Sequence, residues 1–327
     1  MSSGTKLTRR RRRAQTELGV NGPVIEAAWL YYHDGLNQNE IAARMGLSRA
    51  TVVSYLQKAR TEGYVKTALA EHVFTQHRSS VALCAAYGLT AAYVVADDRT
   101  ELATMHRVAR GAAQWLPGLL KSGDRLGVAW GRTVHAVAAA TDRHPEKALT
   151  VLQLVGSVAT ADGFAAETCS TMLADKLGAA CTGLHCPAVV SDASLADRLR
   201  AEPIIAAQLD AVGTCNKAVF AAGSATPKSH IVAAGVTSLQ ELDVYRARGA
   251  VGVHCARFVD TDGKPVAGPL DDRIMGVTLD RLTGLDMGLM VSCGPEKVDP
   301  MRALMRGGFV THLVTAQSTA EALLLSG

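Results

Sequence analysis

The 327-residue chain is 48% hydrophobic, 20% charged and 5% aromatic, a balance that fits a globular protein of about two domains and excludes intrinsic disorder, collagen and a disulfide scaffold. No apolar run reaches about 18 residues and no apolar segment follows the basic N-terminus, so neither a membrane span nor a secretory signal is expected and the chain reads as cytoplasmic. The net charge of +4 is concentrated at one end: residues 1–66 hold eleven Lys and Arg against five Asp and Glu, whereas the remainder holds 23 against 25. A basic head on a slightly acidic body points to a polyanion at one end only.

Residues 1–22 are polar and carry Arg9, Arg10, Arg11, Arg12 and Arg13. With too little apolar surface to offset chain entropy, they read as a flexible arm, either a solvated tail or one that tracks phosphates. Residues 23–68 form the head. An apolar stripe through Val24, Ile25, Ala28, Leu30 and Tyr31 predicts a first helix between Pro23 and Gly35. Asn37 and Glu40 have capping-box spacing and open a second helix that Gly46 ends. Ser48 caps a third, with Val52, Leu56 and Ala59 inward and Arg49, Ala50, Ser54, Tyr55 and Lys58 outward.

Two short helices joined at a glycine, the second presenting small polar and basic residues at its start, make a helix-turn-helix. The candidate DNA contacts are Gln38, Ser48, Arg49, Ala50, Thr51, Ser54, Tyr55 and Lys58, together with the arginine arm. A plain three-helix bundle shares the core pattern but not the surplus of positive charge. Glu62 to Val65 reads as a turn into an extended wing.

Residues 69–327 alternate short apolar runs (92–95, 126–129, 151–155, 218–222, 251–255, 289–293 and 310–314) with helical patterns (102–121, 133–141, 164–178, 194–213, 238–248, 296–306 and 317–325). This predicts a Rossmann-like α/β domain, a largely parallel sheet with helices on both faces and ligands beyond the strand C-termini. Gly131-Arg132-Thr133 follows one strand and opens a helix, as a small anion site or an ordinary turn. Lys297 stands in a first helical turn, where a cation gains nothing from the helix dipole unless an anion is bound; a surface pair with Glu296 is the alternative. Asp260, just past a strand, suits hydroxyl recognition, and Glu167 is a first-turn acid. The seven cysteines include no Cys-x-x-Cys pair. Cys181, His185 and Cys186 are close in sequence but have no second ligand pair, so buried thiols rather than a metal site are expected.

Head and body together resemble the SorC family of sugar-responsive transcriptional regulators. The carrying segments are 27–32, 35–38, 41–52, Trp130-Gly131-Arg132-Thr133, 153–156, Arg257-Phe258-Val259-Asp260 with Gly263, Gly294 with Glu296-Lys297, and 313–315. The resemblance implies a helix-turn-helix domain, an effector domain similar to sugar-phosphate isomerases, deaminases and CoA transferases, a tetramer, and DNA affinity that changes with a sugar, polyol or sugar-phosphate. On that pattern Gly131, Arg132, Thr133 and Lys297 hold a phosphate and Asp260 reads hydroxyls, with Gly156, Ser157 and Glu167 as further contacts. Ala222-Gly223-Ser224 and Thr315-Ala316-Gln317 depart from the family pattern. Operator DNA and the effector are the expected partners, with no catalytic residue, metal or cofactor. A sugar-phosphate isomerase or deaminase with Glu167 and Asp260 as base and acid is the alternative.

Overall fold

In the computed structural model, residues 21–65, 71–144, 148–158 and 163–325 are described. The chain divides into two compact units, residues 1–69 and 70–327. The arginine run at 9–13 and the wing expected beyond Val65 lie outside the described residues, except for the turn at Glu62–Val65.

The first unit contains α1 (Gly22–Tyr32), α2 (Gln38–Met45) and α3 (Arg49–Thr61). Helix α1 has Pro23 in its first turn, where a missing amide hydrogen removes no intrahelical bond. The Asn37 side chain caps the amide of Glu40, whose carboxylate accepts from the Asn37 amide at 2.8 Å, completing the capping box. Gly46 then turns left-handed at φ +70°, and Ser48 Oγ caps the amide of Thr51 at 3.1 Å. Ala27, Leu30, Ile41, Val52 and Leu56 form the core that fixes the three helices.

The second unit is built on seven parallel strands: β1 (Ala91–Val95), β2 (Arg125–Val128), β3 (Thr150–Gln153), β4 (Ala180–Thr182), β5 (Lys217–Phe220), β9 (Met287–Val291) and β10 (His312–Ala316). Their spatial order is β1-β10-β9-β5-β2-β3-β4, every pairing parallel. Alternate side chains enter opposite layers: Leu289, Val291 and Val314 join one core with Val108, Leu116 and Val137, whereas Met290 and Leu313 join the other with Phe220 and Leu323. Burial on both faces explains why these strands read as apolar runs without polar alternation.

Three sequence expectations are corrected. The run at 251–255 does not enter the parallel sheet. It forms β7 (Gly252–His254) of a separate antiparallel sheet with β6 (Gly223–Ser224) and β8 (Arg257–Val259). The cause is a two-residue turn at Cys255 and Ala256, φ +50° and +65°, which reverses the chain at once. The helix expected over 194–213 is two, Ala193–Ala201 and Pro203–Val212, because Pro203 lacks an amide hydrogen and holds Glu202 extended. Cys181 is exposed on the edge strand β4 rather than buried. A helix at Arg78–Tyr87, whose apolar face is only partly buried, has no counterpart in the sequence expectations.

Candidate functional site

In the first unit, Ser48, Arg49, Ala50, Ser54 and Lys58 are exposed, while Gln38 and Thr51 are half-buried. Tyr55 is turned inward more than expected and packs against the helical core. The Arg49 Nε donates to Gln38 Oε1 at 3.2 Å, joining the starts of α2 and α3. Lys58 reaches Asn21 Oδ1 at 3.2 Å and Glu62 at 3.5 Å, so its charge is partly used within the unit.

In the second unit, the C-terminal ends of β1, β10, β9, β5 and β2 surround a cavity of about 1430 Å³. Its walls are the segments 97–105, 129–133, 221–233, 253–256, 292–297 and 318–319. A parallel sheet sends successive strand ends to one edge, so residues far apart in sequence meet there.

Gly131, Arg132, Thr133 and Lys297 all line this cavity. Gly131 takes φ +114° ahead of the helix Arg132–Ala140, a conformation confined to glycine. Arg132 is exposed, its guanidinium 6.0 Å from the Phe164 ring centre. Gly294, at φ +112°, opens the turn that carries Lys297 to the head of the helix Val298–Arg306, and its amide donates to Thr319 Oγ1 at 2.9 Å. Lys297 is half-buried, and among the described residues no carboxylate lies within ion-pair distance of it. Burial holds its ammonium below the ordinary lysine range; the nearby Glu296 opposes this and Arg132 adds to it. Arg132 and Lys297, neither in an ion pair among the described residues, thus stand on the cavity wall beside two helix starts.

The remaining predicted contacts lie outside the cavity wall. Gly156 is sealed against Cys186 and Pro187, whose carbonyl oxygens would stand 2.5 and 2.6 Å from an added Cβ. Ser157 pairs through its backbone with Cys186 and Ala188 at 2.8 and 2.9 Å. Asp260 Oδ1 accepts from the amides of Asp262 and Lys264, both at 2.9 Å, so this oxygen builds its own turn away from the cavity wall. Glu167 sits in the first turn of the helix Ala166–Leu177, its Oε2 buried without a hydrogen bond.

Sequence reasoning missed two walls. One is the loop after β1, where Asp97 accepts from the Ser318 hydroxyl at 2.6 Å and its amide at 2.9 Å, and Asp98 pairs with Arg107 at 2.5 Å. The other is 224–231, where His230 packs on Trp130, ring centres 5.0 Å apart, both on the cavity wall. Neither loop has a signal beyond ordinary turn residues, and the helix cap at Thr100 is the only local mark on the first. Among the described residues no group of His, Cys, Asp and Glu is placed to hold a metal, and no helix is long and apolar enough to cross a membrane.

Residues 71–325 match the family described as "Putative sugar-binding domain". Residues 23–73 also match, over the head alone, a family described as "Putative ATPase subunit of terminase (gpP-like)". The chain is 37% identical over 321 residues to the uncharacterized transcriptional regulator YjhU of Escherichia coli, covering 96% of this chain and 98% of that protein. It is 28% identical over 303 residues to the deoxyribonucleoside regulator of Bacillus subtilis, covering 92% and 96%. Its fold is similar to that of the full-length sorbitol operon regulator SorC from Klebsiella pneumoniae, with a TM-score of 0.78 at 22% identity over 92% of this chain and 97% of the other. A helix-turn-helix unit joined to a sugar-binding domain that spans most of the sequence therefore places the chain in the SorC family of sugar-binding transcriptional regulators.

Proposed function

We propose that the first unit binds operator DNA through α3 and that the cavity of the second binds a phosphorylated sugar or polyol whose occupancy changes DNA affinity. The observation that carries this reading is Lys297, half-buried and beside Arg132, with no carboxylate at ion-pair distance among the described residues. A half-buried ammonium whose burial is offset only in part by the nearby Glu296 is costly, and a dianionic phosphate on Gly131, Arg132, Thr133 and Lys297 adds the charge that balances it. The relatives' names agree in kind, one being a deoxyribonucleoside regulator and another a sorbitol operon regulator.

Binding rather than catalysis is the role we assign to the second unit. Glu167 and Asp260, the two carboxylates considered as acid and base, both stand outside the cavity wall, and Asp260 is engaged by its turn. A tetramer in the cytoplasm, with the arginine arm on DNA phosphates, completes the proposal. A coupling of about 1–3 kcal/mol between effector and DNA would change operator affinity roughly 5- to 150-fold.

The test is a thermal-shift comparison of phosphorylated and free pentoses, hexoses and polyols, since a ligand bound to the native state raises its stability. Stabilisation by a phosphorylated compound that is lost in Lys297→Ala supports the reading. Equal stabilisation of both proteins by an uncharged sugar would overturn the phosphate assignment.

A further inference from the structure

We infer that Arg49 reads a guanine in the major groove of the operator and that Gln38 is the positioning residue that aims it. This rests on the proposed DNA-binding role of the first unit. Arg49 is exposed at the first position of α3, where a recognition helix meets base edges. Its Nε is committed to Gln38 Oε1 at 3.2 Å, which leaves the two terminal guanidinium nitrogens for an outside acceptor pair. Guanine presents O6 and N7 together in the major groove, and a guanidinium matches both at once.

The helix's other cations are occupied differently. Lys58 is held by Asn21 and Glu62, and the Arg60 Nε donates to the Tyr32 hydroxyl at 2.7 Å. No ion pair within the described residues engages Arg49. The backbone of Gln38 is held, because it is the first residue of α2, inside the Asn37–Glu40 capping box. The two helix starts are thereby clasped, and the orientation of Arg49 follows from the helix-turn-helix geometry rather than from its own flexible stem.

Ala50, the next residue, and Val53, one turn beyond Arg49, are exposed, Val53 by 40%, and as i and i+3 neighbours they form a small apolar step on the exposed side of the helix. In a major groove the apolar feature available to such a step is the C5 methyl of thymine. The expected half-site therefore holds a guanine with thymine at a neighbouring base pair.

The experiment is selection of DNA from a randomised pool by the full chain, followed by sequencing, for the wild type and four variants. The wild type should enrich guanine at one position per half-site. Arg49→Ala should lose that preference, a change of roughly 5- to 150-fold at that position, and Arg49→Lys, an ammonium in place of the planar fork, should keep it in weakened form; both should keep preferences elsewhere. Gln38→Met, which removes the acceptor at similar size, should keep guanine as the preferred base but reduce its enrichment several-fold. Val53→Ser should weaken thymine preference next to the guanine and leave the guanine itself. Guanine enrichment that survives in Arg49→Ala overturns the base assignment, and a Gln38→Met profile equal to the wild type overturns the positioning role. Failure of the wild type to enrich any sequence would instead overturn the DNA-binding role of the head.

Discussion

Gly131 and Gly294 hold the same backbone conformation, φ +114° and +112°, each three residues beyond a strand, β2 and β9, and those two strands flank β5 on either side. The cavity floor is thus framed by two equivalent glycine hinges, one delivering Arg132 and the other Lys297. An added Cβ at Gly131 meets nothing within 4 Å, so the cost of Gly131→Ala is in the backbone alone. A loss of about 1–3 kcal/mol in urea unfolding is expected, together with loss of stabilisation by a phosphorylated effector. Wild-type stability in Gly131→Ala would show that the turn relaxes freely and that the frame is not rigid.

Lys297 gives the proposed anion site a pH dependence. Burial, reinforced by Arg132 against the opposing charge of Glu296, sets its proton loss below the ordinary lysine range. The affinity it supplies is present while the ammonium is protonated and is lost as pH rises through that depressed value. Affinity for a phosphorylated effector, measured by calorimetry between about pH 7 and 10, should therefore fall earlier than an ordinary lysine would allow. Lys297→Arg, whose charge does not titrate in that range, should flatten the profile.

His254 predicts a second pH effect, on stability. It lies between Phe220 and Phe309, ring centres 4.2 and 5.2 Å away, with neither nitrogen hydrogen-bonded. Burial lowers its pKa from 6.5 to about 3. The unfolded chain takes up a proton near pH 6.5 that the folded protein refuses, so this contribution is intact above that pH and declines as pH falls toward 3. The slope is about 1.4 kcal/mol per pH unit. His254→Phe should remove one proton's worth of slope between about pH 6 and 4 in denaturant titrations; an unchanged slope would contradict the neutral-histidine account.

At the opposite edge of the sheet, Lys217 and Asp124 form a buried ion pair at 2.7 Å, with Asp124 also bonded by the Lys121 amide at 2.6 Å and by Asn216 at 3.0 Å. Burial pushes the Asp124 carboxyl up, but the Lys217 and Asn216 bonds and the Lys121 amide outweigh it and hold it below the usual range. Lys217→Met should cost about 3–5 kcal/mol in chemical denaturation, because the carboxylate is left buried without its counter-ion. Removing both charges in Lys217→Met with Asp124→Leu should restore a large part of that loss.

Local features were legible in the sequence wherever one residue type had one physical use. Asn37 with Glu40, Gly46 and Ser48 located the head helices because each satisfies or reverses the backbone at a helix end. The apolar runs located the strands because both faces of the sheet are buried. Membership of the cavity was less legible, since it depends on the order of strands. Asp260 follows a strand as Lys297 does, but its strand belongs to the small antiparallel sheet, which brings the hairpin turn at Cys255 and Ala256 to the cavity wall and leaves Asp260 off it. Cys255 and Ala256 gave no warning of that hairpin, because the left-handed turn usually announced by Asn or Gly is made here by two other residues. The 97–105 wall was hidden for the same reason, being brought to the cavity by β1, a strand that neighbours only the last one in the chain.

That neighbour relation sets an order of events during synthesis. β1 pairs with β10 alone, through Ala91–Val95 against His312–Ala316. When β1 leaves the ribosome, the strand that pairs with it among the described residues is more than 200 residues from being made. The helix-turn-helix unit has no such debt, since the core contacts of its described residues lie within residues 24–65. The DNA-reading part can therefore be complete while the effector-sensing part still waits for its closing strand. A chain cut short before residue 312 would keep a folded head and lose the strand that joins β1 to β9, leaving a head that no effector controls.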